Sequence, residues 1–283
     1  MSDARPEPEI PATGRRWGAL EGILALVTAI GLTLFAGIPQ VVIGDDTGTA
    51  EVTGNAISMV LQNIVFVGAP IALLAVMGYR IGRGDLGWRG PRRRWLAIGL
   101  LVGAAVAYLL LSSGLAHLLG VADEQDELPD KLGVNVSALA GIVIGLAVTV
   151  LAPIGEETLL RGVVYPGLRT TFGRIAPGWL AIALAAVIDG ILFGALHAAG
   201  TDVGFLPILA LFGAVLCLLY QWTGSLYLPI VLHATNNTVA ITQAADWSAG
   251  QGLALWVAAM AILTLLGVGV RRGAGDAPFL PAR

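Results

Sequence analysis

The sequence predicts an all-α, polytopic membrane protein: a bundle of about eight transmembrane helices with both termini cytoplasmic. Three observations predict it. Of the 283 residues, 56% are hydrophobic and only 12% charged, with a mean hydropathy of +0.81, whereas a soluble domain carries about 25% charged residues. Apolar runs near the ~20 residues needed to cross a bilayer recur along the chain. The charges also segregate by loop, arginines to one set of loops and acids to the other, as the positive-inside rule requires.

Residues 1–16 are polar, carry Pro6, Pro8 and Pro11, and read as a disordered cytoplasmic tail. The first apolar run, 17–43, follows Arg15 and Arg16. It is too long for a signal-peptide core and lacks a cleavage context, so it is a first membrane helix with Glu21 near its inner end. Seven more spans are expected at 56–79, 95–120, 136–160, 178–199, 205–222, 226–243 and 251–270. Gly224 and Pro229 mark a short turn between the sixth and seventh. Residues 273–283 form a second cytoplasmic tail, which leaves 17–272 as a single transmembrane domain.

The loops fix the expected orientation. Asp45, Asp46 and Glu51 follow the first span, and Asp123, Glu124, Asp126, Glu127 and Asp130 follow the third, beside the only lysine, Lys131. Six arginines lie in 80–94, and Arg169, Arg174, Arg271 and Arg272 fall on the same side. With the N-terminus inside, every charged loop obeys the rule. The protein is therefore expected to be multi-pass in the cell membrane, with the lipid bilayer as its first partner. The run Arg92-Arg93-Arg94 reads as a topology signal and anionic-lipid contact, not as a nucleic-acid site.

Composition excludes several chemistries. A single cysteine, Cys217, allows no intrachain disulfide and no cysteine metal cluster; it reads as a small buried apolar residue. There is no internal repeat of the transporter kind and no glycine-rich nucleotide loop.

The chemistry gathers at Pro153-Ile154-Gly155-Glu156-Glu157-Thr158-Leu159-Leu160-Arg161-Gly162. Nothing from Val134 to Ile154 is charged, and ionised groups at lipid depth cost several kcal/mol unless they find partners. Glu157 and Arg161 stand at i and i+4, the favourable order for a helical ion pair. Glu156 is turned about 100° from Glu157 on an ideal helix, so the two carboxylates serve different tasks. Phe193 with His197, and His233 with Asn237, are further i, i+4 pairs on separate apolar helices. Asp189 precedes them on the Phe193–His197 face and is expected to orient His197 or to pair with an arginine. His117, at a membrane edge, is assigned no role. Gly141 with Gly145 and Gly190 with Gly194 are small-residue pairs that suit close approach of the fourth and fifth helices.

Depth counting sets a condition. At about 1.5 Å per residue, Glu156 near the inner end of its helix and His197 near the outer end of the next do not meet. Convergence requires the fourth helix to run past Arg161, to about Tyr165 before Pro166, and the fifth to begin within the cytoplasmic layer.

The three motifs Glu-Glu-x-x-x-Arg (156–161), Phe-x-x-x-His (193–197) and His-x-x-x-Asn (233–237), in this order, resemble those of the intramembrane endopeptidases of the CAAX-protease and bacteriocin-processing (Abi) family. The resemblance covers about 136–243, the expected peptidase core, and extends to the loop Asp85-Leu86-Gly87-Trp88-Arg89-Gly90-Pro91-Arg92. It implies Glu156 as the general base on water, His197 as its helper, and His233 and Asn237 as oxyanion donors. Glu157 and Arg161 would brace the site, and Phe193 would pack against the histidine helix. The family has been read both as metal-free glutamate proteases and as metalloproteases. A zinc ion would take Glu156, His197 and His233, but the missing His-Glu-x-x-His motif favours no metal and no other cofactor. The implied substrate is a membrane-associated peptide or protein, C-terminally processed or lipid-modified as in eukaryotic relatives. Fifteen arginines to one lysine suggest a GC-rich bacterium. Two other classes are weighed: a scaffold or self-immunity protein, against which the intact buried polar set argues, and a proton-coupled transporter, against which the lack of repeats argues.

Overall fold

A computed structural model describes residues 16–43, 48–91 and 93–272. The expected tails, apart from Arg16, lie outside the described residues, as do Asp45, Asp46 and Arg92. The described chain is all-helical, with no β-strand. Its main helices are α1 (Ala19–Ile43), α2 (Thr49–Val76), α3 (Arg94–Leu119), α4 (Ala138–Phe172), α5 (Gly178–Leu196) and α6 (Val203–Thr223), followed by α7 (Tyr227–Ala244) and α8 (Ala249–Arg272).

Seven of the eight are long and apolar enough to cross a membrane; α7 is not. It carries His233, Asn236, Asn237, Gln243 and three threonines within 18 residues. The helix least suited to lipid is thus one of the helices that brings polar groups into the bundle.

α4 departs most from the sequence expectation. It continues through Pro166 to Phe172 instead of stopping near 160. Two π-helical segments make this possible, Ala147–Leu151 and Leu160–Val164. Each is followed by a fresh α segment that carries a proline in its first turn: Pro153 in Ala152–Leu159 and Pro166 in Tyr165–Phe172. A proline lacks the backbone N–H but needs none in a first turn. The π register shifts therefore admit both prolines without ending the helix, and π turns of this kind are frequent at functional sites. Glu156 and Glu157 sit in the α segment between them.

The two ends of the bundle are pinned by their loops. At the arginine-rich end, Leu226 N–H donates to Gly87 O at 2.8 Å and Arg89 Nε to Gly224 O at 3.0 Å. Trp17 Nε1 donates to Val163 O in the second π segment at 2.9 Å. Gly224 has φ +61°, which allows the tight α6–α7 turn. At the acidic end, Lys131 Nζ donates to Gly200 O at 2.9 Å and Asn135 Nδ2 to Ala244 O at 2.9 Å.

The glycine pairs do not join α4 to α5. A Cβ on Gly194 would lie 2.7 Å from Leu206 O, and one on Gly190 would overlap Ala210 O, so this pair seats α6 against α5. Gly141 makes room for Trp247, 2.8 Å from its would-be Cβ, and Gly145 for Leu255 at 3.3 Å. The reason is geometric: each pair faces whichever neighbour its helix face meets, and spacing within one helix does not name that neighbour.

Candidate active site

α4, α5 and α7 each contribute charged or titratable side chains to one cluster. Glu156 is 8% exposed, and Glu157 and Arg161 are fully buried. Arg161 Nη1 donates to Glu157 Oε1 at 3.0 Å, and Nη2 to the Gly213 carbonyl of α6 at 2.9 Å. Its Nε stands 3.5 Å from Asp189 Oδ1, and its guanidinium carbon lies 4.8 Å from the centre of the Phe193 ring. Asp189 therefore pairs with the arginine. Its described partners are Arg161 and Cys217, whose thiol donates to Oδ1 at 3.0 Å; they do not include His197.

The two histidines converge on Glu156. His197 Nε2 and His233 Nε2 each lie 3.9 Å from Glu156 Oε2. His197 Nδ1 is 2.9 Å from the Phe193 carbonyl, and His233 Nδ1 is 2.9 Å from Glu157 Oε1. A carbonyl and an ionised carboxylate only accept, so Nδ1 carries the proton in both rings. Both Nε2 atoms are left to face Glu156. The Phe193 ring holds this arrangement from one side, with its centre 4.8 Å from that of His197 and 5.4 Å from that of His233. Phe212 of α6 adds an edge contact to His233 at 5.5 Å.

Glu156 and His197 meet because α4 runs on for sixteen residues beyond Glu156. The fifth helix begins at Gly178, as expected, and ends one residue before His197, which caps it. Glu156 is thus mid-helix and faces the C-terminal end of its neighbour.

Asn237 lies one turn beyond His233 on α7. Its Nδ2 donates to Val148 O, in the first π segment, at 2.9 Å. His117 is exposed on the last turn of α3 and is not brought to the cluster.

Three contributors escape the sequence motifs: the Gly213 carbonyl, the Cys217 thiol and Asn63 of α2. Asn63 lies so close to Gly155 that a Cβ there would overlap its Oδ1. Its signal was visible, a polar residue inside an apolar span beside Asn55 and Ser58, all three largely buried. A backbone carbonyl gives no such signal.

Glu156 Oε2 is buried and makes no hydrogen bond among the described residues. The atoms that would hold a zinc ion are this oxygen and the two Nε2 atoms. Among the described residues no group of three His, Cys, Asp or Glu has metal-holding geometry.

Residues 137–239 match the family model Rce1-like, described as type II CAAX prenyl endopeptidase Rce1-like. The segment is similar to an Rce1-like domain. It contains the entire cluster apart from Asn63, and the match supports membrane-embedded proteolysis of the CAAX type in general. Outside the matched segment lie α1, α2, α3 and α8. The chain is also 29% identical over 159 residues to an uncharacterised 24.3 kDa protein of Escherichia coli, across 53% of this chain and 70% of that one. No solved structure matches the chain.

Proposed function

We propose that this protein is an intramembrane endopeptidase of the cell membrane, with 136–243 as its peptidase core, that hydrolyses a peptide bond in a membrane-associated protein or peptide. One observation carries the reading: a buried carboxylate oxygen, Glu156 Oε2, that makes no hydrogen bond among the described residues and is faced at 3.9 Å by Nε2 of two histidines from two other helices. That separation is too long for a direct hydrogen bond and suits a bridging water.

The residues then divide the reaction. His197, with its proton on Nδ1, accepts a hydrogen bond from the water through Nε2. Glu156 takes the proton as hydroxide adds to the scissile carbonyl carbon, a role worth about 10²–10⁴ in rate. The resulting oxyanion receives hydrogen bonds from the second N–H of Asn237 and from His233 when its Nε2 is also protonated. Fixed donors of this kind contribute about 3–4 kcal/mol each. The C–N bond breaks as Glu156 returns its proton to the leaving amine. Glu157 holds His233 in place, and Arg161 holds Glu157. The name of the matching family supports a substrate with a processed, lipid-modified C-terminus.

The test is cleavage of a quenched-fluorescence peptide library by the purified protein in nanodiscs, for wild type, Glu156→Ala and His233→Ala, each with and without chelator. Cleavage lost in both variants and kept with chelator supports the glutamate mechanism. Loss with chelator and recovery with zinc makes Glu156, His197 and His233 metal ligands instead. A folded wild type that cleaves no membrane peptide overturns the enzymatic reading and favours a scaffold.

A further inference from the structure

Arg161 pairs with Glu157 in an unusual way. A guanidinium presents its donors in a flat fork, and its favoured contact with a carboxylate uses two parallel hydrogen bonds. Here only Nη1 reaches Glu157, through Oε1. The second oxygen, Glu157 Oε2, is buried and has no hydrogen bond among the described residues. The two-pronged contact is open to it and is not made.

The other arms of the fork are held elsewhere. Nη2 is bound to Gly213 O on α6, and Nε, which makes no hydrogen bond among the described residues, forms an ion pair with Asp189 Oδ1 on α5 at 3.5 Å. That Asp189 oxygen is itself held from α6 by the Cys217 thiol at 3.0 Å. Asp189 and Cys217 are both fully buried. The Phe193 ring lies under the guanidinium, which leaves it freest to turn in its own plane. If Asp189 let go, that turn would take Nη2 off Gly213 O and swing it towards Glu157, closing the two-pronged bridge through Nη1 and Nη2. Glu157 would rotate to meet it, and Oε1 would leave His233 Nδ1.

We propose that Asp189, supported by Cys217, is a positioning residue: it keeps Arg161 from closing on Glu157 and so leaves Glu157 Oε1 free to hold His233. Its kinetic consequence rests on the peptidase reading; its geometric consequence does not. Asp189 touches no reacting atom and acts through Arg161 and Glu157.

The experiment uses full-length protein labelled with ¹⁵N-histidine in nanodiscs. The chain has three histidines, so His233 is assigned by elimination with His117→Gln and His197→Gln. Spectra are compared for wild type, Asp189→Asn, Arg161→Lys and the double variant. Asp189→Asn is expected to shift the His233 ring nitrogens and leave those of His117 in place. Lysine has no fork to close, so Asp189→Asn is expected to add no shift in the Arg161→Lys background. With a cleavable peptide in hand, Asp189→Asn is expected to lower kcat about 100-fold, the cost of a roughly 1 Å misplacement, with KM little changed. Unmoved His233 signals in folded Asp189→Asn overturn the proposal. So does the same shift in the lysine background. If Asp189→Asn does not fold, Cys217→Ala replaces it, with a smaller shift in His233 expected and an unmoved signal again overturning the idea. The spectra decide the role of Asp189 whether or not a cleavable peptide is found.

Discussion

His233 Nδ1 stands 2.9 Å from Glu157 Oε1, tying α7 to α4 through two side chains that are both almost completely buried. The same Glu157 oxygen accepts from Arg161. Adjacent residues of one motif are thereby split. Glu157 Oε1 is taken up by Arg161 and His233, whereas Glu156 Oε2 makes no hydrogen bond among the described residues.

This split predicts opposite phenotypes for the two glutamates. Glu156→Ala is expected to abolish peptide cleavage while leaving the thermal midpoint near that of wild type, because the lost carboxylate oxygen satisfied no donor. Glu157→Ala strands Arg161 and His233 in the interior, and removing one partner of a buried pair costs about 3–5 kcal/mol. Thermal unfolding in detergent beside a cleavage assay checks both; equal destabilisation by the two substitutions would refute the division.

Arg161→Lys keeps the charge but is expected to lower both stability and cleavage. A single ammonium cannot reach Glu157, Gly213 O and Asp189 from the positions of the three guanidinium nitrogens. A thermal midpoint and cleavage rate equal to those of wild type would show that charge alone suffices.

Gly155→Ala and Gly213→Ala test the close helix contacts around the site. At Gly213 a Cβ would lie 2.8 Å from Phe193 Cβ, 2.9 Å from Gly190 Cα and 3.2 Å from Arg161 Nη2. At Gly155 it would overlap Asn63. Overpacking of this kind costs about 1–3 kcal/mol. Gly99, which has open space around it, is the control: Gly99→Ala is expected to leave the thermal midpoint unchanged or higher.

Trp17→Phe removes the indole donor to Val163 O in the second π segment. The loss is expected to be about 1 kcal/mol or slightly more, because a buried acceptor is left without its partner. Hydrogen exchange should quicken around 160–165 before it does elsewhere. A uniform change along α4 would mean that the indole does not support the π turn locally.

The sequence by itself determined the class of molecule and the inventory of its chemistry. Spans of apolar residues can only be helices in lipid, since every backbone polar group must be satisfied internally, and the rare charges inside them stand out for that reason. Glu156, Glu157, Arg161, Phe193, His197, His233 and Asn237 were legible because each is polar or aromatic at helical spacing in an apolar context. What only the tertiary structure decided is how they meet. The i, i+4 rule relates residues on one helix and is silent about which face turns to which neighbour, so the partners of Gly190 and Gly194 were misplaced onto α4. Pro166 read as a helix stop, and the π turns before Pro153 and Pro166 were invisible, because a register shift is stabilised by contacts from distant parts of the chain such as those of Trp17 and Asn237. Cys217 read as bland, and Asp189 as either orienting His197 or pairing with an arginine; the second is what the structure shows. Asp189 meets Arg161 of α4 and Cys217 of α6, and the sequence does not say which of several charged or polar residues on separate helices will meet.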